Sequence, residues 1–374
     1  MKPIIPTLLY CILLTACSQS QSSTETTQSG TEANRLITPG NNTMEKATPV
    51  HQPSDVLKLV QRQVIDKEGT GLVASTYLLP SDWTVQDRLY WEYGDATVPV
   101  RFKANMQSGN GDMGIQIFPD IRAVWSRGPS GESGYPPPSD IITGMKDLIK
   151  VERKGKIITY VNQKVLLNQS QNTNQGKQNV QAGVITVTYE ENGRTVEEEF
   201  YAKVDVAAMS TPSMMGNMTS VIWAASAMYA CKAVTGKLDD CRKIAQTVAS
   251  SAQLTKPFYN KLVQVIQLLS DQVYAQIYQA GQISKIISQT NDQMIANIDA
   301  SYRQSQQASS RTNDQFSDYI RGVDRYSDGG SEVQLPSGYN NAWMNDRGEY
   351  ILTNTAGWNP GTDFNGNWKQ LERN

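Results

Sequence analysis

The amino-acid sequence predicts an α+β fold: an antiparallel-sheet domain first, then an αα-hairpin and a long helix, and finally a small β-meander. Three observations predict this order. Between residues 72 and 204, short apolar segments alternate with turn signals, as is typical of strands. From about Met209, long apolar stretches have helical spacing instead. After residue 327, aromatic residues and turns dominate the sequence.

The N-terminus has the layout of an export signal. Lys2 precedes an apolar run from Ile4 to Leu14, which is too short for a permanent membrane span. Residues 14–17 read LTAC and resemble the lipobox of bacterial lipoproteins. The resemblance implies that residues 1–16 are a signal peptide removed by the type II signal peptidase, and that Cys17 carries acyl chains such as palmitate. An ordinary signal with a chance cysteine, or an uncleaved anchor, is the alternative.

Two further expectations follow from this signal. Ser18 comes after the cysteine, and in Gram-negative lipoproteins a residue other than Asp at this position usually favours the outer membrane. The resemblance therefore implies a cell-envelope protein, lipid-anchored at the outer membrane and facing the periplasm. Residues 17–53 are rich in Ser, Thr and Gln, so we expect a disordered tether. At 5 to 6 Å × √n, its root-mean-square reach is ~30 Å.

Residues 54–210 are predicted to form the α/β domain. A short helix over residues 54–65 begins it, and Asp140 is expected to cap a second helix. The turn Asn192-Gly193 lies between alternating segments and predicts a β-hairpin. Residues 77–83 read YLLPSDW and resemble the entry of PsbP/Mog1-like domains, a likeness that covers residues 55–210 at most. That resemblance implies protein binding without catalysis.

Trp83 and Trp125 are the candidate ligand or partner residues of this domain. Both lie in or next to predicted strands, where they could line a ligand-binding cleft. Aromatic side chains on strands more commonly fill the core, so the two interpretations remain open.

Residues 211–326 are predicted to be helical. Residues 221–234 and 238–254 would form the αα-hairpin, with Cys231 and Cys241 on either side of its turn. In an oxidising compartment, two such cysteines favour a disulfide. A redox-active pair is the alternative, but the spacing exceeds that of a CxxC motif.

A long helix is predicted over residues 257–310. Apolar residues recur in it at every seventh position, which predicts a coiled-coil seam. The seam could pack against the protein's own chain, associate with a second copy or bind an envelope protein. Residues 327–374 form the predicted aromatic meander and resemble a WW domain, with Tyr339 in the place of the first Trp and no Pro after the last one. The candidate binding residues of this segment are Tyr339, Trp343, Tyr350 and Trp368.

The charge balance and the histidine content argue against several classes of function. Lys and Arg total 34 and Asp and Glu total 36, which argues against a nucleic-acid partner. His51 is the only histidine, which removes Ser-His-Asp triads and multi-histidine metal sites. We therefore expect no catalytic residues, no metal and no cofactor. The sequence favours a lipid-anchored, non-catalytic protein-interaction or structural module, and the alternative is a ligand-binding lipoprotein with a Trp-lined cleft.

Overall fold

A computed structural model describes residues 56–94, 98–173, 176–213, 216–270, 302–303, 306, 322–327 and 332–374. The strands, in chain order, are β1 (Leu57–Ile65), β2 (Val73–Pro80), β3 (Thr84–Trp91), β4 (Val100–Gln107), β5 (Met113–Ile117), β6 (Ile121–Gly128), β7 (Gly131–Gly134), β8 (Thr159–Thr173), β9 (Gly176–Glu191), β10 (Arg194–Ser213), β11 (Gly216–Val234), β12 (Gln253–Leu254), β13 (Val323–Ser327), β14 (Glu332–Pro336), β15 (Asn341–Asn345), β16 (Tyr350–Thr353), β17 (Trp368–Gln370) and β18 (Glu372–Arg373). The helices are α1 (Ile141–Glu152), α2 (Leu238–Ser251) and α3 (Lys256–Ser270).

Three antiparallel sheets contain these strands. Sheet A has the order β12-β2-β1-β16-β15-β17, so the first strand pairs with one of the last. Sheet B has the order β3-β4-β5-β11-β10-β9-β8, with β6 beside β11 and β7 beside β6. Sheet C has the order β14-β13-β18. The described part of the chain is therefore mostly β-sheet, and the predicted α+β class with an αα-hairpin and a long helix is wrong.

Three hydrophobic clusters hold the sheets together. The main cluster lies among sheet A, sheet B and α2, and it contains Leu79, Tyr201 and Phe258. A second cluster lies between α1 and the other face of sheet B. A third joins sheet A to sheet C around Leu59 and Leu335. Since burial of each large apolar side chain contributes roughly 1.5–3 kcal/mol, these clusters rather than the short helices dominate stability.

Two local predictions are confirmed. Asp140 caps α1, because its carboxylate accepts a hydrogen bond of 2.9 Å from the backbone N–H of Thr143. The β9–β10 hairpin turns at Asn192 and Gly193, whose φ angles of 53° and 73° are those of the tight turn that Asn-Gly favours.

The predicted αα-hairpin fails at its first helix, since residues 221–234 lie within β11. This strand pairs with β10 along one edge and with β5 and β6 along the other. Its two faces are buried as well, since Cys231 and Ala233 belong to the main cluster and Met228 and Ala230 belong to the second cluster. A strand buried on both faces is apolar throughout, without the alternation that normally marks a strand. The second predicted helix is α2, and β10 runs across residue 210, where a domain boundary was expected.

The predicted helix over residues 54–65 is also wrong. Its apolar residues match helical spacing, but the segment forms β1, which pairs with β2 and β16. Hydrogen bonds on both edges outweigh the weak local preference for helix. Of the predicted helix 257–310, α3 covers the beginning, and its Val265 and Leu269 pack near Trp91. Most of the remaining seam lies outside the described residues.

Candidate functional site

An aromatic surface covers one face of sheet A near the C-terminus. Lys58, Ile351, Trp343 and Gln370 are paired in register across β1, β16, β15 and β17. Directly paired residues of antiparallel strands point to the same side, so these four share one face. Trp368 pairs with Asn345, two residues from Trp343, and therefore lies on that face as well.

The loop between β16 and β17 adds two further rings to this surface. It contains a 3-10 turn at Pro360–Thr362, and the backbone N–H of Phe364 donates to the carbonyl of Pro360 at 2.8 Å. The turn brings Phe364 beside Trp358 and Trp368, with ring centroids 6.1 and 6.4 Å apart and the rings in edge contact. Such edge-to-face pairs add about 0.5–1.5 kcal/mol beyond the area that they bury.

Hydrogen bonds hold the indole rings of Trp358 and Trp368 in place. Trp358 Nε1 donates to the carboxylate of Asp363 at 2.6 Å, and Trp368 Nε1 donates to the carbonyl of Phe364 at 3.2 Å. The rings of Trp358, Phe364 and Trp368 all remain partly exposed to solvent. We call Lys58, Trp343, Trp358, Phe364 and Trp368 the aromatic face.

Charges lie at the rim of the aromatic face. Lys58 Nζ is 5.5 Å from the ring centroid of Phe364 and 3.2 Å from the carboxylate of Glu349. Burial raises the pKa of Glu349, but hydrogen bonds from Asn345 and Lys58 outweigh this and hold the pKa below its ordinary value. Arg347 is 60% exposed, and its guanidinium donates to the carbonyl of Asn365 at 2.6 Å. The surface thus combines aromatic rings with a cation at its edge.

The structure separates the four C-terminal candidates into two groups. Trp343 and Trp368 belong to the aromatic face, and their role in binding stays a prediction. Tyr350 lies on the opposite side of sheet A, and both it and Tyr339, in the loop before β15, are partly buried against the cluster shared with sheet C. Sequence reasoning missed Trp358 and Phe364, although both lie in the Gly- and Asn-rich loop just before Trp368.

The two N-terminal candidates do not form a common cleft. Trp83 is 4% exposed and belongs to the main hydrophobic cluster, which supports the core interpretation. Trp125 lies on β6, where it pairs with Val221 of β11, and it belongs to none of the buried clusters of the described residues. The expected Trp-lined cleft is therefore absent from this part of the chain.

The predicted disulfide between Cys231 and Cys241 is wrong for this structure, which contains both residues as free, buried thiols. Cys231 is on a strand rather than a helix, and Cys241 Sγ donates to the carbonyls of Gly114 and Lys232, each at 3.4 Å. The hydrogen bond with Cys241, followed by burial, raises the pKa of Cys231 well above its usual value. A protonated, inaccessible thiol is a poor nucleophile, which also argues against a redox-active pair.

The remaining predictions concern the anchor and bound groups. Cys17 and the tether lie outside the described residues. Within the described ranges, no group of three or more His, Cys, Asp or Glu residues is placed to hold a metal ion. No helix in those same ranges is long and apolar enough to cross a membrane.

Comparisons with known proteins give little further information. No family model matches the chain, and no curated protein matches it. Among solved structures, the chain is similar to LpqN of Mycobacterium tuberculosis, which is described as involved in cell envelope biogenesis. The similarity covers 53% of this chain and 91% of LpqN, with 10% sequence identity and a TM-score of 0.20. A score this low does not establish a shared fold.

Proposed function

We propose that this protein is a lipid-anchored cell-envelope lipoprotein that acts as a non-catalytic protein-interaction or structural module, with the aromatic face as its binding surface. The aromatic face is the observation that carries the proposal. Tryptophan and arginine are enriched among the residues that dominate the energy of protein interfaces. Here three partly exposed rings lie together, and Arg347 lies at the rim.

The local geometry supports a preformed binding surface. Two indoles are fixed by hydrogen bonds, and Phe364 is fixed by its backbone bond to Pro360. Binding to rings that are already ordered costs less side-chain entropy than binding to mobile ones. A partner that contributes apolar side chains to the rings and a carboxylate to Arg347 has the complementary chemistry.

Attachment to the envelope rests on the lipobox. In this proposal Cys17 carries acyl chains at the outer membrane, on its periplasmic side, and the tether separates the folded part from the lipid surface. The Cys17→Ser variant, exported behind a signal peptide that is cleaved without acylation, should then move from the membrane fraction to the soluble fraction of cells. Retention in the membrane fraction would show that Cys17 is not the anchor.

Association through the predicted helix 257–310 is a second route to a partner. The proposal is supported by the heptad spacing of apolar residues, because a second copy of the chain or an envelope protein could pack a helix against such a seam. In the described portion, however, Val265 and Leu269 are buried near Trp91 and Tyr93 of the same chain. The aromatic face is therefore the better-supported surface.

Site-specific photo-crosslinking in cells tests the aromatic face. A benzophenone amino acid replaces Trp368, and the same group replaces Val151, a 71% exposed residue of α1, as the control. We expect a discrete adduct from position 368 only, and we expect Arg347→Glu to weaken it. No adduct at position 368, or the same adducts from both positions, would overturn the proposal.

A further inference from the structure

We propose that the protein forms a twofold dimer in which β8 of each copy pairs with β8 of the other, so that the two copies of sheet B become one continuous sheet. This interface is separate from the aromatic face, which lies on sheet A. The proposal therefore goes beyond the proposed function and does not depend on it.

β8 is an open edge of sheet B. It is the last strand of the sheet and pairs with β9 along one side. Within the described residues, no strand pairs with its other side. Every second residue of such a strand directs its backbone N–H and C=O groups away from the paired neighbour. The edge is therefore complementary to another extended strand.

β8 differs in length from the other edge strands. It has 15 residues, which span roughly 50 Å at about 3.4 Å per residue. The other edge strands of the described sheets are β12 and β18 with 2 residues each, β17 with 3, β7 with 4, β14 with 5 and β3 with 8. Short edge strands protect proteins from pairing with other chains, and β8 lacks this protection.

β8 is also almost uncharged. Lys164 is its one charged residue, whereas the shorter β3 contains Asp87 and Arg88. Charges and prolines commonly prevent pairing at an edge, and β8 contains no proline. Its pairing with β9 is irregular at Val161 and Leu166, and the four residues between these two positions are regularly paired. Residues 162–165 thus offer a regular stretch of open edge.

Apolar side chains are exposed along this edge. Val161 is 61% exposed and Val165 is 46% exposed. Ile157, two residues before β8, is 91% exposed. Single exposed apolar residues are ordinary, but three of them beside an unpaired strand edge indicate a surface for association. A strand of a second copy would cover the two valines and satisfy the edge together.

The sequence of β8 is compatible with pairing to its own copy. A twofold axis normal to the sheet makes the two strands antiparallel. An axis through Gln163 pairs Val161 with Val165 of the second copy, and it places Lys164 opposite Asn162. An axis through Lys164 would instead place two lysines directly opposite each other, which is destabilising. The valines and the lysine therefore both favour Gln163 as the axis.

Such a dimer would have two consequences for assembly. Both copies use the same edge, so the interface closes on itself and does not propagate into a fibre. Each copy keeps its aromatic face on sheet A, so a dimer presents two of these faces. A partner with two matching sites would then bind the dimer more tightly than it binds one copy.

Sedimentation velocity tests the dimer. The chain begins at residue 17 and carries Cys17→Ser, so that no acyl chain contributes to association. We expect a concentration-dependent equilibrium between monomer and dimer. Val161→Lys together with Val165→Lys should raise the dimer dissociation constant roughly tenfold or more, because each new lysine lies opposite another in the proposed register. The matched control adds the same two charges by Ile121→Lys and Val124→Lys, at exposed apolar positions of β6.

This control should leave the dimer intact, because β11, β10 and β9 separate β6 from β8. Circular dichroism and thermal melting establish that each variant is folded. A variant that melts early is replaced by the covalent capture that follows, which leaves both valines in place.

Disulfide capture tests the register. Gln163→Cys should form a covalent dimer under mild oxidation, because directly paired residues of antiparallel strands have Cβ atoms only about 4.5–5.5 Å apart. Gln86→Cys is the control, at an exposed glutamine of β3 on the opposite edge of sheet B, and it should remain monomeric. Cys231 and Cys241 are buried and do not compete for the crosslink.

Four results would each overturn the β8 interface. They are a wild-type chain that is monomeric at every concentration, equal dissociation of the dimer by the β6 control, no covalent dimer of Gln163→Cys, and dissociation of the dimer by Arg347→Glu. The last result would place the contact on the aromatic face, so the binding role proposed for that face would stand while the β8 dimer failed.

Discussion

Glu198 and Glu199 are neighbours on β10, but their buried carboxylates lie on opposite faces of sheet B and each pairs with a different arginine. Arg153, at the end of α1, donates to Glu198 through Nε at 2.7 Å, and the hydroxyl of Tyr189 donates to the same carboxylate at 2.8 Å. Arg242 of α2 donates to Glu199 through Nε at 2.8 Å. The two ion pairs therefore attach one helix to each face of the sheet.

Loss of one partner of these pairs should strongly destabilise the protein. Arg153→Ala leaves Glu198, which is 1% exposed, buried without its cation. Removal of one partner of a buried pair costs about 3 to 5 kcal/mol, mainly because the remaining charge is unpaired. Urea unfolding at pH 7 measures the change in the free energy of unfolding.

The control is Asp147→Ala, which breaks an exposed ion pair with Lys150 on the same helix. Exposed pairs contribute about 0 to 1 kcal/mol, so this variant should remain close to wild type. The double variant Arg153→Met with Glu198→Leu should recover much of the loss, because no unpaired charge remains. A small effect of Arg153→Ala alone would show that solvent reaches Glu198 in the folded protein.

Glu191 should make the free energy of unfolding depend on pH. Burial raises the pKa of Glu191, but hydrogen bonds and charges of Lys232 and Lys156 outweigh it and hold the pKa below its ordinary value. A carboxyl whose pKa is lower in the folded chain contributes stability above the unfolded pKa of about 4.3, and this contribution is lost as pH falls. Glu191→Gln should therefore be less stable than wild type at pH 7, and the difference should shrink below about pH 4.

Chemical unfolding at a series of pH values measures that difference. Glu132→Gln is the control, because its carboxylate is 53% exposed in a surface pair with Arg127. If the difference in the free energy of unfolding between wild type and Glu191→Gln stays constant down to pH 3, Lys232 and Lys156 do not lower the pKa of Glu191.

The two buried cysteines should titrate as free thiols. In guanidinium chloride, the chain that begins at residue 17 and carries Cys17→Ser should react with two equivalents of a thiol reagent, from Cys231 and Cys241. Both residues are 0% exposed, so the folded protein should react far more slowly. This chain is exported to the periplasm behind a replacement signal peptide and purified without reductant, and reaction only after reduction would contradict the free-thiol assignment.

These features differ in how much of them the sequence could predict. The turn at Asn192 and Gly193 and the cap at Asp140 depend on residues within a few positions, and both were predicted correctly. The burial of Glu198 and Glu199 was not predictable, because nothing nearby in the sequence indicates Arg153 or Arg242 as their partners. The opposite facing of these adjacent glutamates was predictable, since successive side chains alternate along a strand.

The aromatic face was predictable only in part, because residue type is visible in the sequence but the packing of distant strands is not. Trp343 and Trp368 were selected by residue type, and both belong to the aromatic face. Tyr350 has an equally suitable side chain but faces the cluster shared with sheet C, because strand register determines the side of a residue and a shift of one position reverses it. Tyr339, in the loop before β15, packs against the same cluster. Lys58 comes from the first strand, so only the pairing of β1 with β16 brings it to Phe364.

The sequence by itself determined the features with a local physical cause: the lipobox pattern at Cys17, the near absence of histidine, the Asn-Gly turn and the cap of α1. The tertiary structure alone decided that β11 is a strand, that the two cysteines are separate thiols, and which aromatic residues share a face. Residues 221–234 have no strand alternation because the hydrophobic clusters on the two sides of sheet B cover both of their faces. Such burial arises only when distant strands assemble, and their pairing energy then exceeds the local preference for helix.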